Sequence, residues 1–95
     1  MAKAYELLFV LNPTIGEEAL QEQVDKITAL IAENGSVTDT DIWGNRKLAY
    51  EINDLSEGYY VLMHFSAEPE FPSELERQLG INDKVLRYLT TVVEE

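Results

Sequence analysis

Cysteine is absent from the 95 residues, and histidine occurs once, at His64. The first absence excludes a disulfide scaffold, a thiolate zinc site and a cysteine nucleophile, and it suits a reducing cytoplasm. The second leaves metal binding and acid–base chemistry with little to work on. Cations are scarce as well: seven Lys and Arg stand against eighteen Asp and Glu, for a formal charge of −11. Such a field repels polyanions unless the few cations share one patch. Long apolar runs are also missing. The longest early stretch, Leu7 to Leu11, is too short for a signal-peptide core and far below the ~20 residues that span a bilayer. A soluble, cytoplasmic protein without a membrane partner is expected. With no repeat, low-complexity tract or Pro/Gly/Ser linker, residues 1–95 read as a single domain.

Tyr5 to Leu11 is apolar on both parities apart from Glu6 and stops at Asn12-Pro13, which predicts a central strand ending in a turn. Thr14-Ile15-Gly16-Glu17 fits a capping box, so Thr14 is expected to open a helix with the apolar stripe Leu20, Val24, Ile27, Leu30 and Ile31. Asn34-Gly35 is expected to end it, with a left-handed residue. Ser36 to Ile52 reads as a long strand in two halves. Its apolar residues fall on odd numbers at Val37 and Trp43, then on even numbers at Leu48, Tyr50 and Ile52. A bulge at Gly44-Asn45 would reconcile the two phases, because one extra residue moves every later side chain to the other face. Asn53 to Gly58 is then a polar turn, and Tyr59 to Ala67 the returning strand of a hairpin. Pro72 to Leu79 predicts a short helix with Gly80 as its stop, and Val85 to Val93 the last strand.

The order β-α-β-β-α-β predicts an α+β fold of the split β-α-β, ferredoxin-like type. It is a four-stranded antiparallel sheet, ordered two-three-one-four, with two helices on one face. Tyr5, Leu7, Phe9 and Leu11, with Tyr59, Val61, Met63 and Phe65, are expected to face the helices. The opposite parity leaves Glu6, Leu8, Val10, Tyr60, Leu62 and His64 on an open face too apolar for simple solvation. Leu8, Val10, Tyr60 and Leu62 are therefore the expected partner contact.

Enzyme chemistry finds no footing. Gly35, Gly44, Gly58 and Gly80 stand alone, and none opens a helix after a strand as a phosphate-binding loop requires. His64 has no serine or carboxylate at a recognisable spacing and reads as a polar sheet-face residue. Asp39 and Asp41 alternate along a strand, and Glu17 and Glu18 sit in a first helical turn. Solvation and the helix dipole account for both pairs without a metal. No cofactor, metal or small-molecule substrate is expected.

The cations carry more information. Arg46-Lys47 adjoin the expected bulge, Lys84 and Arg87 begin the last strand, and Lys3 begins the first, where it is expected to share an edge with Arg87. Dispersed solubilising charge is the bland account of all five, and a cross-strand pair with Glu6 the bland account of Arg87. Arginine beside a glycine bulge nonetheless suits phosphate, because its fork matches two phosphate oxygens.

The string Trp43-Gly44-Asn45-Arg46-Lys47-Leu48-Ala49-Tyr50-Glu51-Ile52, followed by Gly58-Tyr59-Tyr60, closely resembles the family of bacterial small-subunit ribosomal protein six. Tyr5-Glu6, Asn12-Pro13 and Val85-Leu86-Arg87 extend the resemblance over essentially the whole chain, and Gly-x-Arg-(Arg/Lys)-Leu-Ala-Tyr is its most specific part. The resemblance implies the same fold and a non-enzymatic role in the small ribosomal subunit. It also implies binding to the central domain of small-subunit ribosomal RNA, as a heterodimer with the basic ribosomal protein eighteen. Arg46, Lys47 and Arg87 inherit the RNA and partner surface, with Lys3 and Lys84 as further RNA-contact candidates, and Leu48, Tyr50 and Gly58 inherit a structural role. Family members often carry arginine where this chain has Lys47 and Lys3, so bidentate phosphate contacts are expected to be fewer. A basic partner would neutralise part of the acidic field and supply many phosphate contacts itself.

Two other functions share this element order. An independent RNP-type reader of single-stranded RNA would use Gly58-Tyr59-Tyr60, but Leu8 and Leu62 stand where stacking needs rings, and no cation precedes Gly58. A ferredoxin-like regulatory or dimeric ligand-binding module would pair its open face with a second copy.

Overall fold

The computed structural model describes residues 2–52 and 55–93, with side chains at all of these except 49–52. Strand β1, Lys3–Leu11, lies between β3, Leu55–Ala67, and β4, Val85–Val92. Strand β2, Gly35–Ile52, flanks β3, which completes the antiparallel order β2-β3-β1-β4 expected from the sequence. Helices α1, Glu17–Asn34, and α2, Phe71–Gly80, supply the apolar stripes that cover one face. Tyr5, Leu7, Phe9 and Leu11 of β1 and Val61, Met63 and Phe65 of β3 are buried against Leu20, Val24, Ile27 and Ile31 of α1 and Phe71, Leu75 and Leu79 of α2. Tyr59 packs at the rim of that core. The two parities separate this cleanly because β1 and β3 pair without interruption from Lys3 opposite Ala67 to Leu11 opposite Tyr59.

Both ends of α1 differ from the sequence expectation. The capping oxygen belongs to Asn12, which accepts from the Thr14 amide at 2.9 Å and the Thr14 hydroxyl at 2.6 Å, closing a 3₁₀ turn over Pro13–Ile15. With its hydroxyl committed there, Thr14 caps nothing, and α1 starts after Gly16, whose φ is +91°. At the other end Gly35 is extended, at φ −179°, not left-handed. Its need for glycine is steric: a Cβ there would collide with the Ser66 carbonyl oxygen, so glycine lets β2 begin against the end of β3.

Strand β2 shifts register against β3 at three points, the last between Lys47 and Ile52. Thr38 and Trp43 are each left unpaired, between Val37 and Asp39 and between Ile42 and Gly44. The second lies one residue before the expected site, with Gly44 taking the positive φ of +80°; the first carries no glycine and was not expected. The two apolar phases do not meet on one face. Val37 packs on the helical core, whereas buried Leu48 lies beside Val10 and Gly58 on the opposite side. Hairpin pairing reaches Ile52 opposite Leu55, so the turn is shorter than the expected 53–58. Residues 53 and 54, and the Tyr50 side chain, lie outside what is described. Helix α2 is one residue longer at each end than expected: Phe71 packs into the core, Gly80 is still helical, and Ile81 caps it. Among the described residues no helix is long and apolar enough to cross a membrane.

Candidate nucleic-acid interface

Strand register fixes what the open face presents. Crossing the sheet from β2 to β4, one row reads Asp39, His64, Glu6 and Thr91, and the next Asp41, Leu62, Leu8 and Leu89. A third reads Gly44, Tyr60, Val10 and Arg87, and Arg46 with Gly58 lies beyond it. Along the strands the face therefore grades from acidic, through apolar, to aromatic and basic.

In the acidic row His64 Nε2 lies 3.2 Å from Glu6 Oε2, and the Thr38 hydroxyl donates to the His64 carbonyl oxygen at 3.1 Å. Glu6 is thus committed to His64 and faces Thr91 on β4. The anticipated Glu6–Arg87 pair does not form: Arg87 stands opposite Val10, roughly 13 Å further along the strand. Arg87 has a partner of its own.

The apolar row joins Leu62 and Leu8, both half-buried, to Leu89 on β4, which is 62% exposed. Leu89 was missed in the sequence because its face depends on how β4 registers on β1; its place two residues after Arg87 in an alternating strand was the only signal. Val10, expected in the partner contact, is 4% exposed, since Leu48 and the glycine at 58 close over it. It supports the open face from within, while Leu8, Tyr60 and Leu62 stay accessible.

Trp43 is the second residue the sequence reading left without a role. The bulge turns its ring onto Tyr60, with centroids 6.1 Å apart and planes within 11°, and its indole N–H donates to Asp41 Oδ2 at 3.0 Å. Asp41, Ile42, Trp43, Arg46, Lys47 and Tyr60 together line a shallow groove on the β2 side of the sheet.

Four of the seven cations gather at one end. Arg46 and Lys47 face Gly58 and Glu57 across the hairpin, Arg87 faces Val10, and Lys84 is held beside the end of β1 by the Asn12 amide, which donates to its carbonyl oxygen at 2.9 Å. The Lys84 ammonium lies 3.7 Å from Asp83, an exposed pair that ties it down weakly. Lys3 is elsewhere. Antiparallel pairing puts it opposite Ala67, at the far end of the sheet, about 23 Å along the strand from Arg87, so the two share no edge. Among the described residues no group of three or more His, Cys, Asp or Glu could hold a metal ion.

The profile of the family described as ribosomal protein S6 matches residues 4–92. The chain belongs to the ribosomal protein S6 family. It is 47% identical over 88 residues to small ribosomal subunit protein bS6 of Clostridium botulinum, covering 92% of this chain and 94% of that one. It is 44% identical over 94 residues to the bS6 protein of Clostridium perfringens, covering 98% and 99% of the two chains. The crystal structure of the 30S ribosomal protein S6 of Thermotoga maritima superposes with a TM-score of 0.92 at 27% identity, over 98% of this chain and 89% of that one. S6 membership makes the chain a structural protein of the small ribosomal subunit, and RNA binding and a place in translation follow from that identity.

Proposed function

We propose that this chain acts as one domain that binds the central domain of small-subunit ribosomal RNA in the bacterial cytoplasm, as a heterodimer with ribosomal protein eighteen, and catalyses no reaction. The observation that carries this reading is the division of the open face. Arg46, Lys47 and Arg87 lie at one end, away from the Asp39 and Glu6 carboxylates, with Lys84 at the same end on the helix side, and the accessible leucines lie between. Phosphate needs the first zone, because only there can a chain of charge −11 offer local positive potential. A protein partner needs the second, where desolvating Leu8, Leu62 and Leu89 is favourable. The two surfaces are adjacent, so partner and RNA can be engaged together and neither need be strong alone.

The test combines native co-purification with a filter assay. The tagged chain is expected to travel with small ribosomal subunits. In isolation it is expected to bind a central-domain transcript poorly at physiological salt, and orders of magnitude more tightly once ribosomal protein eighteen is added. Tight binding without the partner would refute the cooperative part; failure to travel with small subunits would refute the assignment.

A further inference from the structure

Trp43 is the only tryptophan in the chain, and no part of the packed core explains it. It stands unpaired in the β2 bulge between Ile42 and Gly44, 39% exposed, at the edge of the sheet. Its ring is nevertheless fixed on two sides. Tyr60 lies beneath it nearly in parallel, and the Asp41 carboxylate accepts its indole N–H. A large exposed aromatic held this firmly loses little further freedom when something stacks on it. Arg46 and Lys47 line the same groove, in a chain with few cations to place. Ring and cations side by side match the two parts of a nucleotide, a base with a π-face and a phosphate with charge.

We infer that the Trp43–Tyr60 pair is a stacking platform for one unpaired nucleobase of the bound RNA, with Arg46 and Lys47 on its phosphate; this rests on the RNA-binding reading above. The platform repairs a deficiency of the open face. Leu8 and Leu62 occupy the central positions where a sheet-face RNA reader would carry rings, so no stacking is available there. The bulge brings in a ring from the edge strand instead, over Tyr60, the one other aromatic residue among the described side chains of the accessible face. Stacking of this kind is sequence-tolerant, since every base has a π-face, so the platform selects an unpaired nucleotide and not a particular base.

The experiment uses the full chain with ribosomal protein eighteen and a central-domain RNA transcript, comparing wild type, Trp43→Leu and Trp43→Phe. Because the ring is exposed, both variants are expected to melt near wild type. Trp43→Leu is expected to weaken RNA binding roughly 5- to 150-fold, the range for removing one aromatic stack, without changing the dependence on salt. Trp43→Phe is expected to recover most of the affinity. Affinity between the two proteins, measured without RNA, should not move in either variant. Unchanged RNA affinity in Trp43→Leu overturns the inference. So does an equal fall in protein–protein affinity without RNA, which would make the ring part of the partner contact. If wild-type heterodimer binds no RNA, the underlying function fails and the platform fails with it.

Discussion

Gly58 lies so close under Val10 that a Cβ added at 58 would collide with Val10 Cγ1 and come within 3.1 Å of Leu48 Cδ2. This close approach clamps the extended β2-β3 hairpin, which carries Arg46 opposite Gly58, onto the end of β1. Gly58→Ala is expected to destabilise the protein by about 1–3 kcal/mol through overpacking. Adding Val10→Ala should recover part of that cost, since the methyl that blocks the new Cβ is removed. Urea unfolding of the two single variants and the double variant measures the coupling; additive effects would contradict the close approach.

Leu62, Leu8 and Leu89 form a row across three strands of the open face. Replacing Leu8 and Leu62 by serine is expected to leave the fold intact and to weaken the heterodimer at least roughly fivefold per residue, the scale of an interaction worth above about 1 kcal/mol. Leu89→Ser, at the most exposed of the three, should weaken it with the smallest change in stability. Calorimetric titration with ribosomal protein eighteen reads both. Unchanged affinity in all three variants would move the interface to an edge strand.

On α2 the Arg77 guanidinium donates to both Glu74 oxygens, at 2.9 and 2.6 Å, and Gln78 adds a third hydrogen bond at 3.1 Å. These bonds, the Arg77 one foremost, hold the Glu74 carboxyl at about 2, below its ordinary 4.5. A lowered acid contributes stability above its unfolded value and loses it as pH falls through the folded one, so any contribution from Glu74 disappears between about 4.5 and about 2. Arg77→Ala is expected to return the Glu74 titration, followed by carboxyl carbon NMR, toward the ordinary value. A midpoint that stays near 2 would mean that Arg77 is not the cause.

The buried face of the sheet and the open face opposite were legible in the sequence because burial enforces a period of two. Tyr5, Leu7, Phe9 and Leu11 could face the helices in only one register. Gly44 marked the second bulge through the conformation it allows, whereas Thr38 carries no local sign of the first. Misassigning Thr14 as a cap was a competition between neighbours: Asn12, better placed before Pro13, took the hydroxyl that Thr14 needed. What escaped was non-local. The basic cluster, the separation of Lys3 from it, the burial of Val10 and the position of Leu89 all depend on how β4 and the distal hairpin register against β1, and no single strand encodes that. The stacking of Trp43 on Tyr60 depends in turn on the bulge that redirects its side chain.

The placement of the cations is tested most directly by salt titration of RNA binding by the heterodimer, comparing wild type with Arg46→Ala, Arg87→Ala and Lys3→Ala. Arg46 is exposed on the hairpin and Arg87 at the end of β4, so removing either is expected to change unfolding free energy by no more than about 0.5 kcal/mol. Each should lower the slope of log affinity against log salt by about one unit, as expected when one cation no longer meets an RNA phosphate. Lys3→Ala, at the far end of the sheet, should leave the slope as it is. Slopes unchanged in Arg46→Ala and Arg87→Ala, with Arg87→Ala costing well over about 1 kcal/mol in stability, would make these side chains structural and contradict the basic end as the RNA attachment.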